Sequence, residues 1–504
     1  MRSEGAANRG IPEINMRTAC LILAIAGLGL AAEAHVFSMS CKVNALNGAF
    51  ATEGGRSQAV AWCRKNHITK LWLESYRHDE KVPFERLVEA RDFFRKNGFA
   101  VSGMITPTQL NDSRSMVCCW SDPVACKRLA AEAGKAALVF DEIILDDFLF
   151  TGCTCSRCRE TMASWGVSDW GVFRRRLMLD VCKRYIIEAG RQANPKVQFI
   201  IKFPCWWEGY ADAGYDLAAE SELFGKCWIG TETRDANPNP LQSCWIVGWM
   251  DGQSGGRCGG GWYDPLDSKP EKFVEQARYT ILGGAKESLI HCYDYLVAGE
   301  PGKTPFGEKM DGGHACAAAF EAEAEGLKRL ADLLDGATRG PFNMRTNGVS
   351  RHLFAKGGVR YEAFQNTTDR AMEVSLSFEG CKALSLPDDG AAVISNRSVS
   401  LRPHAFVICR EEPVGTAPSE CAAKNPYVDR KLCHSYGDDP GSGCEYESAD
   451  GIKWEGVARC GLAGCQTFTN PVIPVDWPDP AIYRGEDGAF YSVANSFSRC
   501  ARNQ

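Results

Sequence analysis

Residues 227–264 read CWIGTETRDANPNPLQSCWIVGWMDGQSGGRCGGGWYD, and the reading of this stretch decides the fold. Cys227–Glu232 is a short apolar run that ends on a charge. Leu241–Met250 fits either a strand or a helix, and beyond it Gly259-Gly-Gly-Trp-Tyr-Asp264 reads as a glycine-rich strand. Two parallel strands of one sheet need a crossover, usually helical, so Leu241–Met250 is assigned as the sixth helix and Gly259–Asp264 as the seventh strand. Working outward, further apolar runs fall at His35–Cys41, Thr69–Glu74, Phe99–Thr106, Glu142–Phe148, Val197–Phe203 and Ser288–Tyr293. Helical stretches lie between them at Pro83–Asn97, Pro123–Gly134, Trp170–Gly190 and Pro270–Leu282. Pro83, Pro123 and Pro270 stand where a helix begins, and Gly98 follows one as a C-cap. Eight strand–helix units in about 265 residues match a closed (β/α)8 barrel in count and length. A doubly wound open sheet is the competing layout, but no Gly-x-Gly-x-x-Gly opens the first helix.

A helix over His314–Leu334 completes the barrel, and past Gly336 the texture changes. Short alternating segments at Arg351–Phe354, Arg360–Phe364, Met372–Phe378, Ala391–Ser395 and Ala405–Cys409, separated by turn residues, predict a small β-sandwich. After Glu412, Val414–Ser419 reads as a linker into a β-rich, cysteine-rich tail. The expected organisation is therefore residues 1–34 as a leader, 35–338 as the barrel, 339–412 as the sandwich and 413–504 as a third segment. Within the leader, Met16 is the expected start. Arg17 supplies a positive flank, Leu21–Ala31 an apolar run too short to span a bilayer, and Ala32-Glu33-Ala34 a cleavage pattern before His35. The chain is expected to be secreted, to the periplasm or beyond.

The 504 residues carry 57 Lys+Arg against 63 Asp+Glu, a net charge of −6, so no basic surface marks a nucleic-acid or anionic-membrane partner. At 45% hydrophobic residues the composition excludes wholesale disorder, and no series of long apolar runs points to a polytopic membrane protein. Of the 24 cysteines, Cys20 would leave with the leader, and the odd remainder of 23 cannot all pair within one chain. An oxidising compartment favours disulfides. Cys153-Thr-Cys155-Ser-Arg-Cys158, with Cys118 and Cys119 upstream, equally fits three thiolates of a structural zinc or buried thiols, and the three readings stay open. No cofactor is implied.

Barrels of this kind carry chemistry at the C-terminal ends of their strands. Charged residues end six of the eight runs here: Glu74 and Arg77, Asp146 and Asp147, Lys202, Glu232 and Arg234, Asp264, and Asp294 beside Tyr293. Trp206 and Trp207 follow the fifth strand as candidate stacking surfaces for sugar rings. Two carboxylates facing each other in such a pocket are what cleavage of a glycosidic bond requires. Asp147 with Glu232 is the preferred pair. Asp146 is the substitute, since neighbouring strand residues point to opposite faces and a run apolar on both faces does not say which is which. Glu74, Arg77, Lys202, Trp206, Trp207, Arg234, Asp264 and Tyr293 are the candidate substrate-binding residues.

Asp141-Glu-Ile-Ile-Leu-Asp-Asp-Phe-Leu-Phe-Thr-Gly-Cys-Thr-Cys155, with Thr231-Glu-Thr-Arg234 and Gly259–Asp264, resembles the barrels of secreted bacterial glycosidases over residues 35–410. Acids on strands four and six are similar to the α-galactosidase-type clan. That resemblance implies a nucleophile at Asp147 and an acid/base at Glu232, although the clan's Lys-x-Asp is replaced here by Ile144-Leu-Asp146. In the tail, Asn470-Pro-Val-Ile-Pro-Val-Asp-Trp-Pro-Asp479-Pro-Ala-Ile-Tyr-Arg484 resembles the opening blade of a family 43 glycoside hydrolase, and Ser448–Trp454 resembles a propeller turn. The resemblance implies a five-bladed propeller whose general base would be Asp479, of which this chain holds about one blade. The expected function is hydrolysis of O-glycosidic bonds in a poly- or oligosaccharide. A non-catalytic carbohydrate-binding or cell-surface barrel is the alternative, and a metal-dependent hydrolase finds few strand-end histidines to support it.

Overall fold

The computed structural model describes residues 34–107, 118–146, 149–205, 209–234, 239, 241–298, 313–346, 348–377, 381–385, 392–395 and 398–411, together with five short strands beyond residue 422. Eight parallel strands form the centre: β1 (Val36–Cys41), β2 (Lys70–Arg77), β3 (Ala100–Thr106), β4 (Glu142–Leu145), β5 (Gln198–Phe203), β6 (Cys227–Gly230), β7 (Cys258–Tyr263) and β8 (Glu287–His291). Each pairs with the next, and β1 pairs with both β2 and β8, so the sheet closes on itself. A two-residue strand, Glu80–Lys81, folds back antiparallel on the end of β2. Residues 242–253 are helical, so the crossover argument gave the correct reading of residues 227–264.

The helices begin where local chemistry starts them. Thr52 accepts from Gly55 N–H ahead of α1 (Glu53–Lys65). No side chain caps α2 (Phe84–Lys96), which starts directly after Pro83. Asp122 caps α3 (Pro123–Ala137), whose first residue is the proline that needs no amide partner. The helix expected over Trp170–Gly190 is broken by a wider turn: residues 170–181 are α-helical, 182–188 form a π-helical segment, and 189–193 return to α.

Inside the barrel the side chains stack in layers. Trp72, Met104, Ile144, Ile200, Trp228, Trp262 and Leu289 pack together as an apolar plug separate from the core under the helices. Trp228 fits because β7 is glycine-rich at its start: a Cβ on Gly260 would lie 2.8 Å from the indole. Alternation along a strand then sends the residue two positions beyond each plug member to the C-terminal mouth.

Beyond α9 (Gly313–Leu334) come two antiparallel sheets. The larger contains β9 (Thr338–Thr346), β10 (Val349–Lys356), β11 (Val359–Asn366), β13 (Cys381–Ser385) and β16 (Phe406–Glu411). The smaller contains β12 (Met372–Ser375), β14 (Ala392–Ser395) and β15 (Ser398–Leu401). They share one core, in which Val349, Phe364 and Val407 meet Val374, Val399 and Leu401. Helix α8 (Pro270–Leu282) joins this region to the barrel: Arg278 donates to Gln365 at 2.7 Å, and Tyr279 and Ser350 hydroxyls lie 2.7 Å apart.

The tail is described as short strands at 423–424, 444–447 and 453–456, and a hairpin of 481–484 with 490–493. Asp479 and the leader segment ending at Ala32-Glu33 lie outside the described residues. No helix among the described residues is long and apolar enough to cross a membrane.

The expectation of disulfides is corrected. None forms among the described cysteines. Cys41, Cys63, Cys182, Cys244 and Cys292 are instead buried as thiols, and burial raises their pKa and leaves them small apolar packing groups.

Candidate active site

The plug residues determine which polar groups reach the mouth. Two beyond Trp72 is Glu74, two beyond Met104 is Thr106, two beyond Ile144 is Asp146, two beyond Ile200 is Lys202, and two beyond Leu289 is His291. All five are buried at the same end of the barrel. Asp146, the substitute in the sequence reading, is therefore at the mouth. Asp147, Trp206 and Trp207 lie outside the described residues.

Arg77 joins the first two carboxylates. Its Nε donates to Glu74 at 2.7 Å, and its second terminal nitrogen donates to Asp146 Oδ2 at 2.8 Å. Thr106 Oγ1 donates to Glu74 at 2.5 Å and lies 3.3 Å from Asp146 Oδ2. The other Glu74 oxygen accepts from Val43 N–H. Burial raises the Glu74 pKa, and the Arg77 and Thr106 contacts only partly oppose it.

Lys202 joins the third. Its Nζ lies 2.7 Å from Glu232 Oε1 and 4.0 Å from Asp146 Oδ1, and 4.7 Å above the Trp262 ring. Those two oxygens are consequently no further apart than the two Lys202 distances laid end to end, about 6.7 Å. Glu232 sits one residue past the strip of Thr231, whose hydroxyl and amide both donate to the Trp262 carbonyl. Its side chain folds back over the strand. A Cβ on Gly230 would fall 2.2 Å from Glu232 Oε2, so glycine at 230 makes room for the carboxylate. Glu232 Oε2 is buried with no hydrogen-bond partner among the described residues. Burial raises the Glu232 pKa, outweighing the Lys202 ammonium, and Asp264 pushes in the same direction as burial.

Asp264 accepts from Arg234 at 3.2 Å and from Leu266 N–H at 3.0 Å, so both residues reach the rim, tied to each other. Tyr293 does not. It is buried in the core at 4.9 Å from the Phe50 ring, in a short helix rather than on the pocket wall. Asp294 accepts from Lys42 and Ala45 N–H groups and caps the chain leaving β1.

Four mouth residues were missed by reading charges at strand ends. Lys42 directly follows β1 and lies 4.4 Å from the Tyr295 ring. Thr106 ends β3, and Trp262 stacks on His291 at 4.9 Å. His291 shares a 2.8 Å contact with Ser40 through Nδ1, and burial with the nearby Arg77 charge holds it neutral, well below the usual histidine range. Lys42 was legible as the first polar residue after an apolar run. Thr106 and Trp262 carry no charge and gave no such signal.

The arrangement offers a carboxylate held beside cations, a second carboxyl group whose pKa burial raises, and the Trp262 ring beside the ammonium they share. Residues 30–312, more than half the chain, match the family described as "Probable glycosyl hydrolase, catalytic domain". An uncharacterised protein of Saccharolobus solfataricus is 23% identical over 221 residues, a span of 39% of this chain and 37% of that protein's length. Among solved structures, an α-amylase from Geobacillus thermoleovorans superposes with a TM-score of 0.43 at 9% identity, covering 76% of this chain and 99% of its own. A β-galactosidase from Bacillus circulans gives 0.45 at 7% identity, covering 75% and 99%. The glycoside hydrolase domain of PgaB from Bordetella bronchiseptica gives 0.43 at 9% identity, covering 53% and 96%. With a matched span that takes in the whole ring of parallel strands, the chain belongs to this glycosyl hydrolase family.

Proposed function

We propose that Asp146 and Glu232 are the reacting pair of an exported, retaining glycosidase acting on an oligo- or polysaccharide. The observation that carries the reading is the shared Lys202 ammonium, which keeps the two carboxyl groups within about 6.7 Å of one another. Retaining enzymes hold theirs about 5–5.5 Å apart and inverting ones about 6.5–9.5 Å, so this bound leaves little of the inverting range.

In the first step Asp146 attacks the anomeric carbon. The bond to the leaving oxygen breaks with its electron pair, and that oxygen takes the proton from Glu232. In the second step Glu232, now ionised, accepts a proton from water as the water oxygen attacks the same carbon and releases Asp146. Arg77 favours the ionised nucleophile, and burial favours the protonated acid. Lys202 stabilises Glu232 in the half of the cycle in which it is an anion.

Hydrolysis of aryl glycosides, followed by proton NMR of the first-formed anomer, tests the reading. Retention with a trapped glycosyl–Asp146 ester supports it, and inversion overturns the assignment of Asp146. Sugar binding by calorimetry without turnover would instead support the carbohydrate-binding alternative. Export rests on the Leu21–Ala31 run and Ala32-Glu33-Ala34, and N-terminal sequencing of the mature product checks it. The tail is proposed as the start of a family 43-like propeller that takes no part in the barrel's chemistry.

A further inference from the structure

The cysteines excluded from disulfides are not all core residues. Cys119 lies on the loop from β3 to α3, while Cys153, Cys155 and Cys158 lie on the loop from β4 and the start of α4 (Ser156–Ser164). Their four sulfurs all fall within 4.8 Å of one another. Cys119 Sγ is 3.6 Å from Cys155 Sγ and 3.6 Å from Cys158 Sγ. A disulfide would require about 2.05 Å. A tetrahedron of thiolates at the usual zinc–sulfur length of about 2.3 Å has edges of about 3.8 Å, close to the spacing seen.

The surrounding groups hold this arrangement. Cys155 occupies the N-cap of α4 and Cys158 lies in its first turn, so the Cys-x-x-Cys pair converges on one side of a helix start. Thr151 bridges the two loops: its hydroxyl donates to the Cys118 carbonyl at 3.0 Å and accepts from Cys153 N–H at 3.2 Å. Trp120 Nε1 donates to the Phe150 carbonyl at 2.9 Å, and Arg157 pairs with Asp122. Three ligands from one loop and one from its neighbour make a closed site with no fourth position open for substrate, which is the pattern of structural rather than catalytic zinc.

We infer that Cys119, Cys153, Cys155 and Cys158 bind one structural zinc ion that ties together the loops after β3 and β4. The second of those loops starts at Asp146. The ion thus anchors the far end of the segment whose near end presents a carboxylate to the mouth. This inference stands independently of the proposed reaction, because it needs neither Asp146 nor Glu232 to react.

The full-length protein, purified with reductant and without added metal, is expected to contain one zinc per chain by elemental analysis. Replacement by Co²⁺ should give thiolate-to-cobalt charge transfer and the intense visible bands of a tetrahedral site. Cys119→Ser and, separately, the exposed Cys155→Ser should reduce bound metal to below about a tenth of an equivalent. Cys63→Ser, in the core away from the cluster, should retain it. Zinc content near zero in wild type with four alkylatable thiols would overturn the inference. So would a mass lower by four hydrogens, which marks two disulfides, or stoichiometric iron in place of zinc.

Discussion

The two ends of the barrel are both charged, yet they are built on different balances. At the N-terminal end Lys70 lies 2.6 Å from Glu142 and 3.1 Å from Glu287, and 4.0 Å above the Trp72 ring. Trp72 Nε1 donates to Glu287 at 2.9 Å and Ser102 to Glu142 at 2.9 Å. Burial works against the Glu142 anion, but Lys70, Ser102 and Lys226 together hold its pKa below the ordinary value. At the C-terminal end Glu74, Asp146 and Glu232 share Arg77 and Lys202, and Glu232 Oε2 has no partner among the described residues. The base therefore uses its ionic contacts to hold strands together, whereas the mouth keeps two carboxyl groups, Glu74 and Glu232, whose pKa values burial raises.

The largest expected effect is at the mouth. Asp146→Asn and Glu232→Gln should each lower kcat by about three orders of magnitude or more with the fold intact by circular dichroism. The two losses should differ in kind. A leaving group that departs readily without a proton should restore much of the activity of Glu232→Gln and little of Asp146→Asn. Rates within about tenfold of wild type for both would remove the pair, and Glu74 and Asp264 would become the candidates.

At the base, Lys70→Met leaves the buried Glu287 and the half-buried Glu142 without the ammonium between them. It should cost about 3–5 kcal/mol in denaturant unfolding while leaving kcat per folded molecule unchanged. A fall in kcat at full occupancy of the folded state would show that the two ends are coupled and would break the contrast drawn here.

A third test uses pH. The Glu232 and Glu74 pKa values are raised in the folded protein, so their stabilising contribution is complete below the ordinary value of 4.5 and is lost as pH rises through the raised values. The midpoint of thermal unfolding should therefore fall over that interval, and less so in Glu232→Gln. The proposed acid role requires Glu232 protonated, so kcat/KM should decline along the same alkaline limb. Lys202→Met removes the ammonium that opposes burial and should move the limb to higher pH. Movement to lower pH would contradict Glu232 as the acid.

The smallest effect is expected from the tail. Residues 35–412 should match the full chain in kcat within about twofold, since the charged groups at the mouth, from Lys42 to His291, all come from the barrel. A large loss with the barrel still folded would assign residues 413–504 a part in the mouth.

How far the molecule was legible depended on which signal each part left in the chain. Strand–helix alternation was plain because each strand is short, apolar and bounded by turn residues, and the sheet observed closes over the same eight runs. Glu74, Lys202, Glu232 and Asp264 were legible because a charge at the end of an apolar run has few places to go but the barrel's rim. Strand ends were less so: β4 stops at Leu145 and β6 at Gly230, short of the expected Phe148 and Glu232. The Cys-x-Cys-x-x-Cys run named three possible ligands, but Cys119 joins them through folding, from a different loop.

By itself, then, the sequence determined the barrel and most of the charges at its mouth, because periodicity and strand-end polarity are local properties of the chain. It did not determine which of two adjacent aspartates faces inward. Glu142-Ile-Ile-Leu is buried on both faces, so hydrophobic alternation, the usual marker of facing, is absent there. Closure of the sheet places Asp146, while Asp147 lies outside the described residues. With Ile144 packed among Trp72, Met104 and Ile200 inside the barrel, the two-residue period of a strand brings Asp146 to the same side.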